Sequence, residues 1–229
     1  MKRIFLVFSI LLIISCSNEK PNFTLKGQIK GLKKGTVYLE KEQDSTYKII
    51  DSLVINGNSD FELHCNLEEP QVLYLRLNKY DSDEGIITFF ADKGVTEIST
   101  TLKNFNFNAK IKGSQQQELL EEYLVMMSKF NSKNLDLIKE NFEPKKESDT
   151  VNDFDFETQY NNLLKRKYLY TINFAVTHNT SEVAPYLAIS EIADTNTKFL
   201  DTIYNTLADN IKSTQYGKKL KEIIENRKQ

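Results

Sequence analysis

Gly113-Ser114 divides this chain into two stretches that cannot share one kind of secondary structure. Before it, apolar side chains recur at every second position. After it, they recur at every third or fourth. A period of two puts alternate side chains on opposite faces of a strand, and a period near 3.6 puts them along one stripe of a helix. The fold class that follows is α+β: an N-terminal antiparallel β-sandwich or open barrel, then a C-terminal helical domain.

In the first stretch Phe23, Leu25 and Ile29 alternate with Thr24, Lys26, Gln28 and Lys30, and Thr36 to Glu40 alternates again after Gly35. Tyr47 to Ile55 is rich in apolar and β-branched residues and ends at Asn56-Gly57-Asn58, a strong turn signal. Asp60 to Leu67, Val72 to Leu77, Ile86 to Phe90 and Val95 to Thr100 are read as further strands, with Asp92-Lys93-Gly94 as a tight turn and Ala109 to Lys112 as a short final strand. In the second stretch Ser114 is a suitable N-cap, with Gln117 where a capping-box partner belongs. Leu120, Tyr123, Leu124, Met127 and Phe130 then mark a helix, and Asn131 to Phe142 is a second helix or its continuation. Glu143 to Asp153 is charged and reads as a solvated loop. Phe156 to Phe174 marks a long helix ending near His178-Asn179. Thr180 or Ser181 caps a helix running to about Asp194, Phe199 to Ile211 marks another, and Tyr216, Leu220, Ile223 and Ile224 mark the last.

The N-terminus carries a different signal. Lys2 and Arg3 precede an apolar run from Ile4 to Ile14, then Ser15-Cys16. Two cations, about ten apolar residues and a small residue make a secretory signal. The run is too short for a bilayer, which needs about twenty apolar residues. Ile13-Ile14-Ser15-Cys16 resembles the lipobox of bacterial lipoproteins. That resemblance implies removal of residues 1–15 as a signal peptide, diacylglycerol on the Cys16 sulfur, and a lipidated tether over residues 16–22. The β domain is then 23–112 and the helical domain 113–229. The expected location is the cell envelope, lipid-anchored to an inner or outer membrane and facing the periplasm or the cell surface.

Charge and cysteine content narrow the function. Losing Lys2 and Arg3 with the leader takes 30 basic residues to 28 against 32 acidic, a net charge of −4. No clustered basic face of the kind that grips nucleic acid stands out. The chain has 2 cysteines. With Cys16 lipidated, Cys65 has no internal partner, and no Cys-x-x-Cys pair is present for dithiol chemistry. Cys65 shares the period-two face of Phe61, Leu63 and Leu67, so it is read as a buried, unreactive thiol.

Phe23 to Lys30, Gly35-Thr36-Val37-Tyr38-Leu39, Ile50-Asp51-Ser52 and Asn56-Gly57 before Phe61 resemble the domain of unknown function 4369, common in Bacteroidota lipoproteins. Ile87-Thr88-Phe89-Phe90, Gly94 to Ile98 and Ile111 to Ser114 continue the likeness. So do His178 to Ala184, at a helix junction, and Ser213 to Leu220. In that family the β domain is usually followed by a helical segment and a thioredoxin-like domain. The resemblance covers 23–226, and the family's catalytic cysteines have no counterpart in this sequence.

The candidate sites are few. His64 shares an outer strand face with Glu62, Asn66 and Glu68, a histidine and two carboxylates along one strand, an arrangement too poor in convergent ligands for zinc. His178 sits at a helix end, where an imidazole interacts favourably with the dipole. Asp81-Ser82-Asp83-Glu84 lacks the glycine and terminal glutamate of an EF-hand and reads as a hairpin loop. Phe105, Phe107, Tyr168, Tyr170 and Phe174 read as core. Asp51-Ser52-Leu53, Asp149-Thr150-Val151 and Asp201-Thr202-Ile203 resemble the O-glycosylation motif of exported Bacteroidota proteins, and Thr150 alone is expected to be exposed. No phosphate loop, catalytic residue, metal site or cofactor is assigned. The expected function is a non-enzymatic binding or docking module, with a separate thioredoxin-like protein as partner. The alternative is a stand-alone envelope lipoprotein that binds a glycan or peptide without any redox link.

Overall fold

The computed structural model describes residues 20–43, 46–78, 85–142 and 153–228. Cys16, Thr150 and the Asp81–Glu84 loop lie outside the described residues.

Among the described residues eight strands, with a short 3-10 turn at Leu102–Asn104 before the last, are followed by six α-helices. The strands are β1 (Phe23–Lys30), β2 (Lys34–Gln43), β3 (Thr46–Asn56), β4 (Asp60–Cys65), β5 (Gln71–Leu77), β6 (Ile86–Ala91), β7 (Gly94–Thr101) and β8 (Lys110–Lys112). They form two open four-stranded sheets, ordered β4-β1-β7-β8 and β3-β2-β5-β6. The inward faces meet in one apolar core that includes Phe23, Leu25, Val37, Leu39, Leu63, Leu73, Leu75, Phe89 and Ile98. Phe61, Leu63, Cys65 and Leu67 all point into it, as their spacing requires.

One pairing departs from the antiparallel expectation. β1 lies between β4, antiparallel to it, and β7, parallel to it in register from Phe23/Gly94 to Lys30/Thr101. Turn chemistry also predicts more hairpins than form. Asn56-Gly57-Asn58 and Asp92-Lys93-Gly94 each join strands of different sheets. A turn motif sets the local reversal of the chain, and burial against the opposite sheet decides which strand becomes the neighbour.

The helices are α1 (Gln115–Phe142), α2 (Asp153–Thr177), α3 (Val183–Glu191), α4 (Thr197–Thr206), α5 (Asp209–Lys212) and α6 (Gln215–Asn226). Gly113 makes the switch into α1. Its φ is +107°, and a Cβ there would lie 2.1 Å from the Val95 carbonyl oxygen. The Ser114 hydroxyl then accepts the Gln117 N–H at 3.3 Å. Asn131 to Phe142 continues the same helix. Phe199 to Ile211, read as one helix, is two, because the chain is extended at Leu207 and Ala208 and the Ala208 N–H donates to the Asn179 carbonyl at 3.0 Å. The N-cap position of α3 is Glu182 and not Thr180 or Ser181, although the Ser181 hydroxyl accepts from the Val183 N–H at 3.1 Å just before the helix.

A helical core forms around Ala184, Ala188, Leu200, Ile203, Leu220 and Ile224. A separate cluster joins the helices to the outer face of the second sheet. In it Val72 and Phe90 meet Leu120, Tyr123, Met127, Phe174, Val183 and Leu187. The Phe89-Phe90 pair is buried throughout because sandwich covers one face of β6 and helices cover the other.

Polar groups complete this seam. Val72 and Phe90 stand opposite each other across β5 and β6. The Phe90 N–H donates to the Gln117 carboxamide oxygen at 2.7 Å, and the Val72 N–H donates to the Tyr216 hydroxyl at 2.9 Å. The Glu69 carboxylate accepts from the Gln215 N–H at 2.6 Å, at the start of α6, where negative charge is favoured. Gln117 therefore does not complete the expected capping box, because its side chain is engaged by strand β6.

Candidate functional site

The site is produced by a failure of pairing. β2 and β5 are joined from Val37/Leu77 to Glu40/Tyr74. Beyond that rung β2 continues through Lys41–Gln43 and β5 through Gln71–Leu73, with no pairing between them. The register of β2 against β3 slips at Leu39/Glu40. The extra residue is Ile50 of β3; such a bulge bends a strand and raises its local twist, and the β2–β5 pairing ends at the same residue, Glu40.

An ion pair with one buried partner reaches back from the last rung, from Glu40 to Arg76 opposite Tyr38. Glu40 is fully buried and bonded to the Arg76 guanidinium, which also lies 5.4 Å from the Tyr38 ring centroid. Glu40 Oε2 and Arg76 Nε have no hydrogen-bond partner.

Helices α3 and α6 close over the gap and leave a cleft of about 750 Å³. Lys41, Glu42 and Gln43 line the β2 side, Gln71, Val72 and Tyr74 the β5 side, and Tyr186, Ser190, Tyr216 and Lys219 the helical side. Its size falls within the range of ligand-binding clefts, roughly 300–1,000 Å³. Tyr186 and Tyr216 pack at 5.4 Å between ring centroids, and each contacts Phe90, at 5.6 and 5.9 Å. Tyr47, about half exposed, meets Tyr74 edge-on at 4.8 Å. The Tyr74 hydroxyl donates to Glu42 Oε2 at 3.4 Å.

Burial pushes the Tyr74, Tyr186 and Tyr216 hydroxyls above the ordinary tyrosine value. Nearby Glu42 raises all three further, while a Ser190 hydrogen bond opposes the shift at Tyr186 and the Val72 N–H opposes it at Tyr216. All three stay neutral near pH 7. Neither Lys41 nor Lys219 forms an ion pair among the described residues. The cleft thus presents rings, neutral hydroxyls, the Lys219 ammonium and the Glu42 carboxylate, with Lys41 at its edge. That is equipment for holding a ligand.

The residues singled out from sequence lie elsewhere. His64 is on the outer face of β4, with Nδ1 3.1 Å from the Thr24 hydroxyl and Nε2 3.6 Å from Glu62. His178 caps α2, its Nδ1 2.9 Å from the Phe174 carbonyl and its ring 4.1 Å from the Phe174 ring. Cys65 is buried, and burial pushes its thiol up to about 11, with Asp51 adding to the shift and Lys41 opposing it. Phe107, read as core, is 81% exposed. The hydroxyl-bearing residues of the other two glycosylation-like motifs, Ser52 and Thr202, are exposed, contrary to the expectation that only Thr150 would be. Among the described residues no group of three or more His, Cys, Asp or Glu is arranged to hold a metal ion, and no helix is long and apolar enough to cross a membrane.

The sequence reading missed the cleft. Tyr216 looked like one more apolar position of the last helix, and Tyr74 like a member of an apolar strand. Their convergence joins residues more than a hundred positions apart, and no local spacing reports it. Residues 23–120 match the model of a domain of unknown function, DUF4369. The match runs past β8 into the first turns of α1 and so includes Gln117. None of the curated proteins is similar to the chain.

Proposed function

We propose that this chain, whose residues 23–120 carry that domain, is an exported lipoprotein held to a membrane by a diacylglycerol on Cys16, and that it works as a non-catalytic binding module. The observation that carries the binding role is the cleft at the parting of β2 and β5, with three neutral tyrosines, Lys219 without an ion pair among the described residues, and one edge of β2 left without a strand. The anchor rests on the charged, apolar and Ser15-Cys16 pattern at the N-terminus. More than one acyl chain gives stable attachment, at about 0.8 kcal/mol per buried methylene. The chain faces the periplasm or the cell surface. The resemblance over 23–226 makes a separate thioredoxin-like protein the first partner to test, and an envelope glycan or peptide is the alternative.

Two variants in the native host test the reading. Cys16→Ser is expected to move the protein into the soluble fraction, and unchanged detergent dependence would refute the anchor. Lys219→Glu is expected to abolish in-membrane cross-linking to the ligand or partner. An unchanged cross-linking pattern would refute the cleft as the seat.

A further inference from the structure

We propose that the occupant of the cleft is an extended peptide, which adds a strand to β2 along Lys41–Gln43 and places a carboxylate against Lys219. The proposal rests on the cleft being a ligand seat and goes on to name the ligand's chemistry.

The two sides of the fork are not equivalent. On the β5 side α6 has already supplied a partner, since the Val72 N–H that would face β2 donates to the Tyr216 hydroxyl. On the β2 side, Lys41, Glu42 and Gln43 pair with Lys48, Tyr47 and Thr46 of β3 along one edge and have no strand along the other. An unpaired edge bordering a cleft is a template for strand addition, in which main-chain hydrogen bonds hold the peptide and alternate side chains enter pockets. Three residues of free edge at about 3.3 Å each span roughly 10 Å, enough for the central residues of a short peptide. Every second side chain of such a peptide would face the rings of Tyr74 and Tyr186.

Charge selects among peptides. Glu42 is the acidic lining residue, and it accepts a hydrogen bond from Tyr74. Lys219 brings an ammonium group that no described carboxylate pairs, and Lys41 adds positive charge at the β2 edge. A peptide bearing an acidic side chain or a free C-terminal carboxylate neutralises them, and a basic peptide is repelled.

The test uses the full-length lipidated chain in detergent, with two probes: a library of random heptapeptides displayed with free C-termini, and a glycan array. Enriched peptides are expected to be acidic or to need their free carboxylate. They should bind Lys219→Glu at least tenfold more weakly, bind Lys218→Glu (exposed on the same helix but outside the cleft) normally, and slow amide exchange across Lys41–Gln43. Equal binding to wild type and Lys219→Glu, or unchanged exchange at Lys41–Gln43, would overturn the proposal. A glycan that protects the cleft in place of peptides would overturn it while leaving the binding-module reading intact. Failure of both probes, with cross-linking in the membrane unaffected by Lys219→Glu, would sink both.

Discussion

Replacing Gln117 with Leu tests how the helices are fixed to the sandwich. The carboxamide oxygen of Gln117 accepts the N–H of Phe90 at 2.7 Å in a fully buried setting, and its amide donates to Glu121 at 3.0 Å. Leu is nearly isosteric, so the packing around Leu120 and Tyr123 survives while the Phe90 N–H loses its only acceptor. Leaving a buried donor unsatisfied costs about 1–3 kcal/mol, and loss of the Gln117–Glu121 contact adds about 0.2–0.5 kcal/mol. For a protein of this size each kcal/mol lowers Tm by roughly 2–4 °C, so a central loss of about 2 kcal/mol predicts a fall of about 4–8 °C. Tyr216→Phe removes the matching acceptor from Val72 but keeps the ring contacts with Phe90 and Tyr186. That bond is only part-buried, so its cost falls at the low end, about 1 kcal/mol. Val72 and Phe90 are directly opposed, and the double variant should therefore depart from additivity by about 0.5 kcal/mol or more. Thermal and urea unfolding followed by circular dichroism measure all three. A Tm within 1 °C of wild type for Gln117→Leu would refute this account of the seam.

Two further outcomes follow from buried titratable groups. With its thiol pushed up to about 11 from 9.0, Cys65 at pH 8 holds roughly a hundredfold less thiolate than an exposed cysteine. An aromatic disulfide reagent should therefore label it at least tenfold more slowly in the native state than in urea, and rates within threefold of each other would contradict burial. Glu182, at the start of α3, has its carboxyl raised from 4.5 mainly by burial, with Asp92 and Glu69 adding and its own backbone N–H opposing. The folded state keeps this proton to higher pH than the unfolded chain does. Its contribution is therefore complete below pH 4.5 and is lost as pH rises through the folded value. Glu182→Gln should remove that decline and gain stability relative to wild type between pH 4 and pH 7, with denaturation at the two pH values as the measure. A variant that loses ground over that interval would reverse the argument.

What was legible in the sequence was whatever depends on neighbours along the chain. The change from period two to period 3.6 located the end of the strands at Gly113-Ser114. Alternation at Phe61, Leu63 and Cys65 assigned their faces, and Ser114 and His178 announced helix ends that the structure shows capped as their chemistry requires. Periodicity states which side of an element is buried and is silent about what buries it. Strand partners were therefore decided only in three dimensions: β1 took β7 as a parallel neighbour, and two turn signals led across sheets instead of into hairpins. Gln117 met the spacing of a capping box, yet the Phe90 N–H, brought close only by packing, claims its side chain. The cleft belongs wholly to this second kind. Glu42, Tyr74, Tyr186, Tyr216 and Lys219 come together where β2 and β5 part, beside a one-residue bulge in β3, and two distant helices cover the gap. The amino-acid order by itself determined most of the elements, the buried faces of the strands and the lipobox-like pattern before Cys16. Tertiary packing alone decided the site, because a binding surface assembled from remote segments leaves no local pattern in any one of them.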